Sequence, residues 1–171
     1  GGKSLIEHQL ERLREAGIQD VVINLHHLGG QIQSRLGDGA RLGVNISYSI
    51  EPDLLETGGG VKKALPMLGE APFLVTSADT YLDFDLDLLP RELPAGMLGL
   101  LVMTNNPEHH PKGDYALGEN SLLQLDGDKL TFTGTAMLHP DLVRDVPESV
   151  FMLRQVFDEA VGAGRFLGIK H

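Results

Sequence analysis

Apolar residues recur along this chain with two alternating periods, one helical and one extended. Ile6, Leu10 and Leu13 fall at i, i+4 and i+7, and Gly17 follows, so the opening segment Gly1-Gly2-Lys3-Ser4 is predicted to run straight into a helix stopped by a glycine. Asp20 to Leu25 is a β-branched run and predicts a buried strand. Leu28, Ile32 and Leu36 share one face of a short helix that Gly37-Asp38-Gly39 ends. Val44, Ile46, Tyr48 and Ile50 alternate with polar residues, a period-2 strand, and Glu51-Pro52-Asp53 then leaves the sheet. Helical spacing returns over Thr57 to Leu68, with Val61, Ala64, Leu65 and Leu68 facing inward. The run beginning at Phe73 lacks polar alternation and predicts a strand covered on both faces, with Asp79 at its carboxyl end.

Helices and strands in strict alternation, joined by right-handed crossovers, predict an α/β fold: a doubly wound, mostly parallel mixed sheet with helices on both faces, Rossmann-like in outline. The second half reads as more antiparallel. Gly96 to Thr104 is a long apolar strand, Tyr115 to Leu117 and Leu122 to Leu125 form a small hairpin, and Leu130 to Leu138 is another strand. Phe151 to Ala163 closes the pattern as a helix whose inner face is Leu153, Val156, Phe157 and Ala160. No repeat, linker or low-complexity tract interrupts the chain, so residues 1–171 are expected to form one domain with a ligand cleft along the strand ends.

Composition narrows the partners. A net charge of −10, from 14 basic and 24 acidic residues, argues against nucleic acid, whose phosphates need a basic footprint. There is no cysteine, which excludes disulfides and thiolate metal sites, and no apolar run near the length of a membrane span. Nothing resembles a secretory signal, so the expected location is cytoplasmic. Small molecules, anionic ones included, remain as partners; the oligomeric state is not legible.

Several stretches could carry chemistry. Asp79, at the end of a buried strand, is placed either to hold a hard cation that also binds phosphate oxygens or to form the next turn. Gly58, Gly59 and Gly60 in the first turn of a helix cost about 1 kcal/mol each relative to alanine. They predict either close approach of a ligand to bare backbone N–H groups or a loop before a late-starting helix. Asp83, Asp85 and Asp87 fail the calcium-loop template, which needs glycine where Leu88 stands and glutamate where Pro94 stands. Asp83 and Asp85 could instead be the metal motif of a glycosyltransferase, or a solvated segment with Phe84, Leu86 and Leu88 turned inward. The pairs His26-His27 and His109-His110 read as polar loop residues, since adjacent strand residues point to opposite faces. Residues 105–114 form a breaker-rich loop, and no nucleophile elbow is present.

Three segments together resemble the sugar-1-phosphate nucleotidyltransferases: Lys3-Ser4-Leu5-Ile6-Glu7, Leu55-Glu56-Thr57-Gly58-Gly59-Gly60 and Ser77-Ala78-Asp79. Within that family, residues 107–114 and Leu130-Thr131-Phe132-Thr133-Gly134 are similar to the branch that serves bacterial cell-wall recycling. The resemblance implies an enzyme that joins a nucleoside triphosphate, UTP in this branch, to a sugar 1-phosphate, here N-acetylmuramic acid 1-phosphate, with release of pyrophosphate. It implies Mg²⁺ as cofactor, with Asp79 as catalytic metal residue. Glu51, Pro52, Glu56, Thr57, Gly58 and Gly59 would bind the nucleotide, and Ser77, Asp114 and Gly134 the sugar phosphate.

Sister branches using mannose 1-phosphate with GTP, or glucose 1-phosphate with dTTP, are the near alternatives. A metal-dependent glycosyltransferase and a non-catalytic nucleotide-sugar binding module are the distant ones. The family's glycine-rich signature loop would precede Gly1, and a segment bearing a second metal aspartate would follow His171. The expectation is therefore of a domain truncated at both ends, inactive by itself and prone to self-association through an unpaired sheet edge.

Overall fold

The computed structural model describes residues 2–80 and 82–171; Gly1, the first residue of the predicted opening segment, lies outside them. Helix α1 (Leu5–Glu15) starts where the Ser4 N–H and hydroxyl both donate to Glu7 Oε2 at 2.9 Å, so one carboxylate secures the first turn. It is followed by strand β1 (Asp20–Leu25), helix α2 (Gly29–Leu36) and strand β2 (Asn45–Ile50), and β1 and β2 pair in parallel. Leu10, Leu36, Leu42 and Val44 form a small apolar cluster beneath them. Glu7 is almost fully buried beside it and also accepts from Arg35 at 2.6 Å and Arg41 at 2.9 Å.

The larger sheet is mixed. Strand β7 (Lys129–Leu138) is its spine, antiparallel to β3 (Phe73–Thr76) on one side and to β4 (Gly99–Thr104) on the other. Strand β5 (Tyr115–Leu117) pairs with the first residues of β7 and with β6 (Leu123–Gln124), and β8 (Phe166–Lys170) lies parallel to β4. Strands β3, β4, β5 and β8 therefore run one way, and β6 and β7 the other. Helix α4 (Leu153–Gly162) covers this sheet with Val156, Phe157, Ala160 and Val161, which pack with Leu101, Leu138 and Phe166 in the main core. Helix α3 (Glu56–Leu68) touches β1 and β2 on one side and α4 on the other, and so joins the two sheets.

The α/β class and the mixed sheet are as the alternation of periods predicts. The details differ in physically informative ways. The strand buried at nearly every position is β4, whereas all four residues of β3 are half-buried, because β3 borders an open cleft. At the end of β2, Ser49 is buried and Ile50 is exposed, the reverse of the predicted facing; helix α3 lies against this strand and gives it a second covered face. Strand β8 carries no period that marks it in the sequence; it pairs along its length with β4 and through a single antiparallel bridge, Leu167 to Leu122, both partners lying far away along the chain. Phe84 turns inward as predicted, but Leu88 is exposed, because Asp85 accepts from the Asp87 N–H at 3.0 Å and winds the segment into one tight 3₁₀ turn.

A bulge interrupts β7. Its pairing with β4 slips between Leu101 and Met103, and in the slack Gly134 takes φ 84°, a conformation open chiefly to glycine. Thr133 Oγ1 donates to the Val102 carbonyl at 2.9 Å and pins the bulge. This irregularity aims Gly134 at Ser77.

Candidate functional site

Between the two sheets lies a cleft of about 1590 Å³. Val21 and Ile23 from β1, Phe73 and Val75 from β3 and Phe157 from α4 give it apolar walls, and Asn24 and Glu51, at the ends of the parallel pair β1 and β2, and Ser77, just past the end of β3, bring polar groups to it. Ligands in open α/β sheets gather at such strand ends. Among the described residues β1 pairs only with β2 and β3 only with β7, and both strands line the cleft.

Of the predicted nucleotide residues, Glu51, Glu56 and Thr57 line the cleft, while Pro52, Gly58 and Gly59 do not. Glu51 is 7% exposed; its Oε1 accepts from Asn24 Nδ2 at 2.8 Å, and its backbone carbonyl lies 2.9 Å from His26 Nδ1. No donor among the described residues reaches its second carboxylate oxygen. A Cβ on Gly60 would come within 2.7 Å of both Asn24 and Glu51, so the glycine is what lets these two side chains meet against α3. Glu56 adopts φ 60°, left-handed for a residue with a side chain, a strain of about 1–3 kcal/mol of the kind that collects at binding sites.

The N–H groups of Gly58 and Gly59 are neither bare nor in a loop before the helix, the two readings the sequence leaves open: both lie within α3 and donate to the Phe151 carbonyl, at 2.8 and 3.2 Å. A Cβ on Gly58 would run into the Phe151 ring, and one on Gly59 into the Ser149 carbonyl. Close packing of α3 against the segment before α4 is what demands these glycines. Thr57 strengthens the same joint, its hydroxyl accepting from the Leu153 N–H at 3.0 Å.

Ser77, Gly134 and Asp114, which sequence separates by up to 57 positions, all line the cleft. The Ser77 N–H donates to the Gly134 carbonyl at 3.1 Å. Asp114 is largely buried: Oδ2 accepts from the Phe132 N–H at 2.8 Å and Oδ1 from Arg154 at 2.7 Å, with His110 Nε2 3.4 Å away. Arg154 also donates through Nε to Asp158 at 2.8 Å, and its guanidinium lies 4.7 Å from the centre of the Tyr115 ring. Tyr115 donates to Asp158 at 2.6 Å; burial, then that carboxylate, push its phenol well above the ordinary range, so it stays protonated. Asn24 and Arg154 are polar cleft residues that sequence reasoning missed. Asn24 could have been found by the same strand-end argument that singled out Asp79, whereas a second-residue helix arginine carries no such signal.

Asp79 sits in the turn after β3, exposed, with Thr80 Oγ1 at 3.4 Å from Oδ1. Its neighbour Ala78 lines the cleft. No group of three His, Asp or Glu side chains among the described residues is arranged to hold a metal. A lone carboxylate suits a Mg²⁺ that arrives with substrate phosphates and keeps its waters, and does not suit a cage built wholly of protein groups. Asp85, half of the rival glycosyltransferase motif, spends one carboxylate oxygen on its turn. No helix among the described residues is long and apolar enough to cross a membrane.

Comparison with known proteins adds to this geometry. The family profile described as Nucleotidyl transferase matches residues 1–107. N-acetylmuramate alpha-1-phosphate uridylyltransferase of Neisseria meningitidis serogroup B is 39% identical to this chain, over 99% of it and 77% of that protein. The protein of the same name from Caulobacter vibrioides is 27% identical over 98% and 76%. The crystal structure of HddC from Yersinia pseudotuberculosis complexed with GMP-PN superposes with a TM-score of 0.79 at 18% identity, covering 99% of this chain and 77% of HddC, a likeness of fold.

Proposed function

This chain belongs to the nucleotidyl transferase family as a sugar-1-phosphate nucleotidyltransferase, and on that premise we propose that it joins UTP to N-acetylmuramic acid 1-phosphate, releasing pyrophosphate. The observation that carries the choice of substrates is the 39% identity, over 99% of the chain, to the Neisseria uridylyltransferase. In the reaction a phosphate oxygen of the sugar 1-phosphate attacks the α-phosphorus of UTP, the bond to the β-phosphate oxygen breaks, and pyrophosphate departs. The cell-wall sugar assigns the protein to peptidoglycan recycling, and the need for UTP to the cytoplasm.

Each side chain then has a task. Glu51, held by Asn24, presents a carboxylate oxygen to a ring N–H of the base, which uracil offers at N3 and cytosine lacks. Glu56 and Thr57 line the same side of the cleft, Pro52 follows Glu51 outside the lining, and Gly58 and Gly59 set the position of α3. Ser77, Asp114 and Gly134 face the sugar phosphate. Asp79 would hold Mg²⁺ together with the triphosphate, and that ion would supply charge stabilisation to the phosphoryl group as it transfers. The residues of the cleft orient the attacking phosphate in line with the bond that breaks.

A coupled pyrophosphate assay over a panel of sugar phosphates and nucleoside triphosphates tests this reading. The expected result is preference for UTP with N-acetylmuramic acid 1-phosphate. Preference for mannose 1-phosphate with GTP, or glucose 1-phosphate with dTTP, moves the protein to a sister branch with the reaction intact. Absence of pyrophosphate release from every pair, measured on the full-length protein, overturns it.

A further inference from the structure

We propose that Arg154 receives a carboxylate borne on the sugar ring of the sugar 1-phosphate, and is thus a residue by which the cleft tells an acidic sugar from its neutral counterpart. The proposal rests on the reading of the cleft as a sugar-phosphate site. A guanidinium has five N–H donors in a rigid fork. In Arg154, Nε donates to Asp158 and Nη1 to Asp114, and the remaining donors have no hydrogen-bond partner among the described residues. The side chain is 45% exposed, and it lines the cleft together with Ser77, Asp114 and Gly134.

Two features make this a receptor for an anion in addition to a link between α4 and β5. The first is fixity. Asp114, Asp158 and the Tyr115 ring hold the guanidinium on three sides, and Asp114 is itself anchored by the Phe132 N–H, so little freedom is left to lose when a ligand docks. The second is scarcity. Asp20, Glu51, Glu56, Asp87 and Asp114 make the cleft acidic, and among the described residues lining it the only other cation is Arg91, on a segment without regular structure. Among the described charged residues lining the cleft only these two arginines offer N–H donors to an acidic sugar, and Arg154, which keeps unused donors beside its contacts to Asp114 and Asp158, is the one that stands with the residues proposed to face the sugar. Asp114, besides facing the sugar phosphate, also positions Arg154.

The test uses N-acetylmuramic acid 1-phosphate and N-acetylglucosamine 1-phosphate, which differ by a lactyl ether bearing one carboxylate, with the wild type, Arg154→Met and Arg154→Lys. In Arg154→Met the KM for the acidic sugar is expected to rise about tenfold or more, while that for the neutral sugar stays within about twofold, the size of one lost charge-assisted hydrogen bond. Arg154→Lys, which keeps the charge and can keep the Asp114 contact, should recover part of the preference and guards against a folding defect in the methionine variant. Calorimetric titration of both sugars into each variant gives the same comparison without turnover. Equal losses for both sugars, or no loss for either, overturn the proposal and leave the reaction assignment standing. A wild type that turns over neither sugar phosphate with any nucleoside triphosphate overturns the reading beneath it as well.

Discussion

Ser77 and Gly134 meet across two neighbouring strands: the Ser77 N–H donates to the Gly134 carbonyl at 3.1 Å, and a Cβ on Gly134 would lie 2.6 Å from Ser77 Oγ. Gly134→Ala therefore forces a left-handed φ on a residue with a side chain and crowds the serine. The expected cost is about 1–3 kcal/mol in urea unfolding, together with a raised KM for the sugar phosphate. A variant of normal stability and KM would show that the bulge is not needed.

Gly59→Ala and Gly58→Ala push a methyl group into the Ser149 carbonyl and the Phe151 ring. Overpacking of this kind costs about 1–3 kcal/mol, with Gly59 at the upper end because the obstacle is backbone. Gly30 in α2 has open space around it, so Gly30→Ala should instead stabilise by about 0.4–1 kcal/mol. Thermal unfolding of the three variants side by side checks the contrast.

The carboxyl of Glu7 is held far below the usual carboxylate range, first by the Ser4 N–H, then by Arg35 and Arg41 and the Ser4 hydroxyl. Its ordinary value is 4.5, so as pH falls the unfolded chain takes up a proton before the folded one does. The stabilisation is complete above about pH 4.5 and is lost progressively below it, toward the depressed folded value. Melting temperatures measured between pH 7 and pH 3 should fall more steeply in the wild type than in Glu7→Gln, whose curve starts lower and runs flatter.

Asp79→Asn should lower turnover by several orders of magnitude while leaving sugar-phosphate binding nearly intact, because the amide holds a phosphate-bound cation poorly. Pyrophosphate release at saturating substrates measures it, and a near-normal rate removes Asp79 from the metal role.

Much of the fold could be read from local periodicity, since a helix or strand that buries one face writes its period into the chain. The helix from Ile6 through Leu13 and the strand from Asp20 to Leu25 were legible for this reason. What escaped depends on partners distant in sequence. Strand β8 exists because β4 offers it an edge, and Ser49 is buried because α3 lies over it. The site behaves alike. Ser77, Asp114 and Gly134 could be named from motifs, but the glycines of α3 answer to Ser149 and Phe151, some ninety residues on, and no local pattern announces that. Arg154 was invisible because its importance comes from Asp114, Tyr115 and Asp158 converging on it.

The two apolar clusters, one around Leu10 and Leu36 and the other around Leu138 and Phe157, share no member, and helix α3 bridges them. In terms of cooperativity, the protein has two units coupled through one helix. Native-state amide exchange should then resolve two opening free energies, with β1 and β2 exchanging ahead of β4 and β7. The glycine-packed seam of α3 would set how far the smaller unit can open while the larger stays closed. Since Glu51 sits on one unit and Ser77 on the other, the width of the cleft between them would breathe on the timescale of that opening.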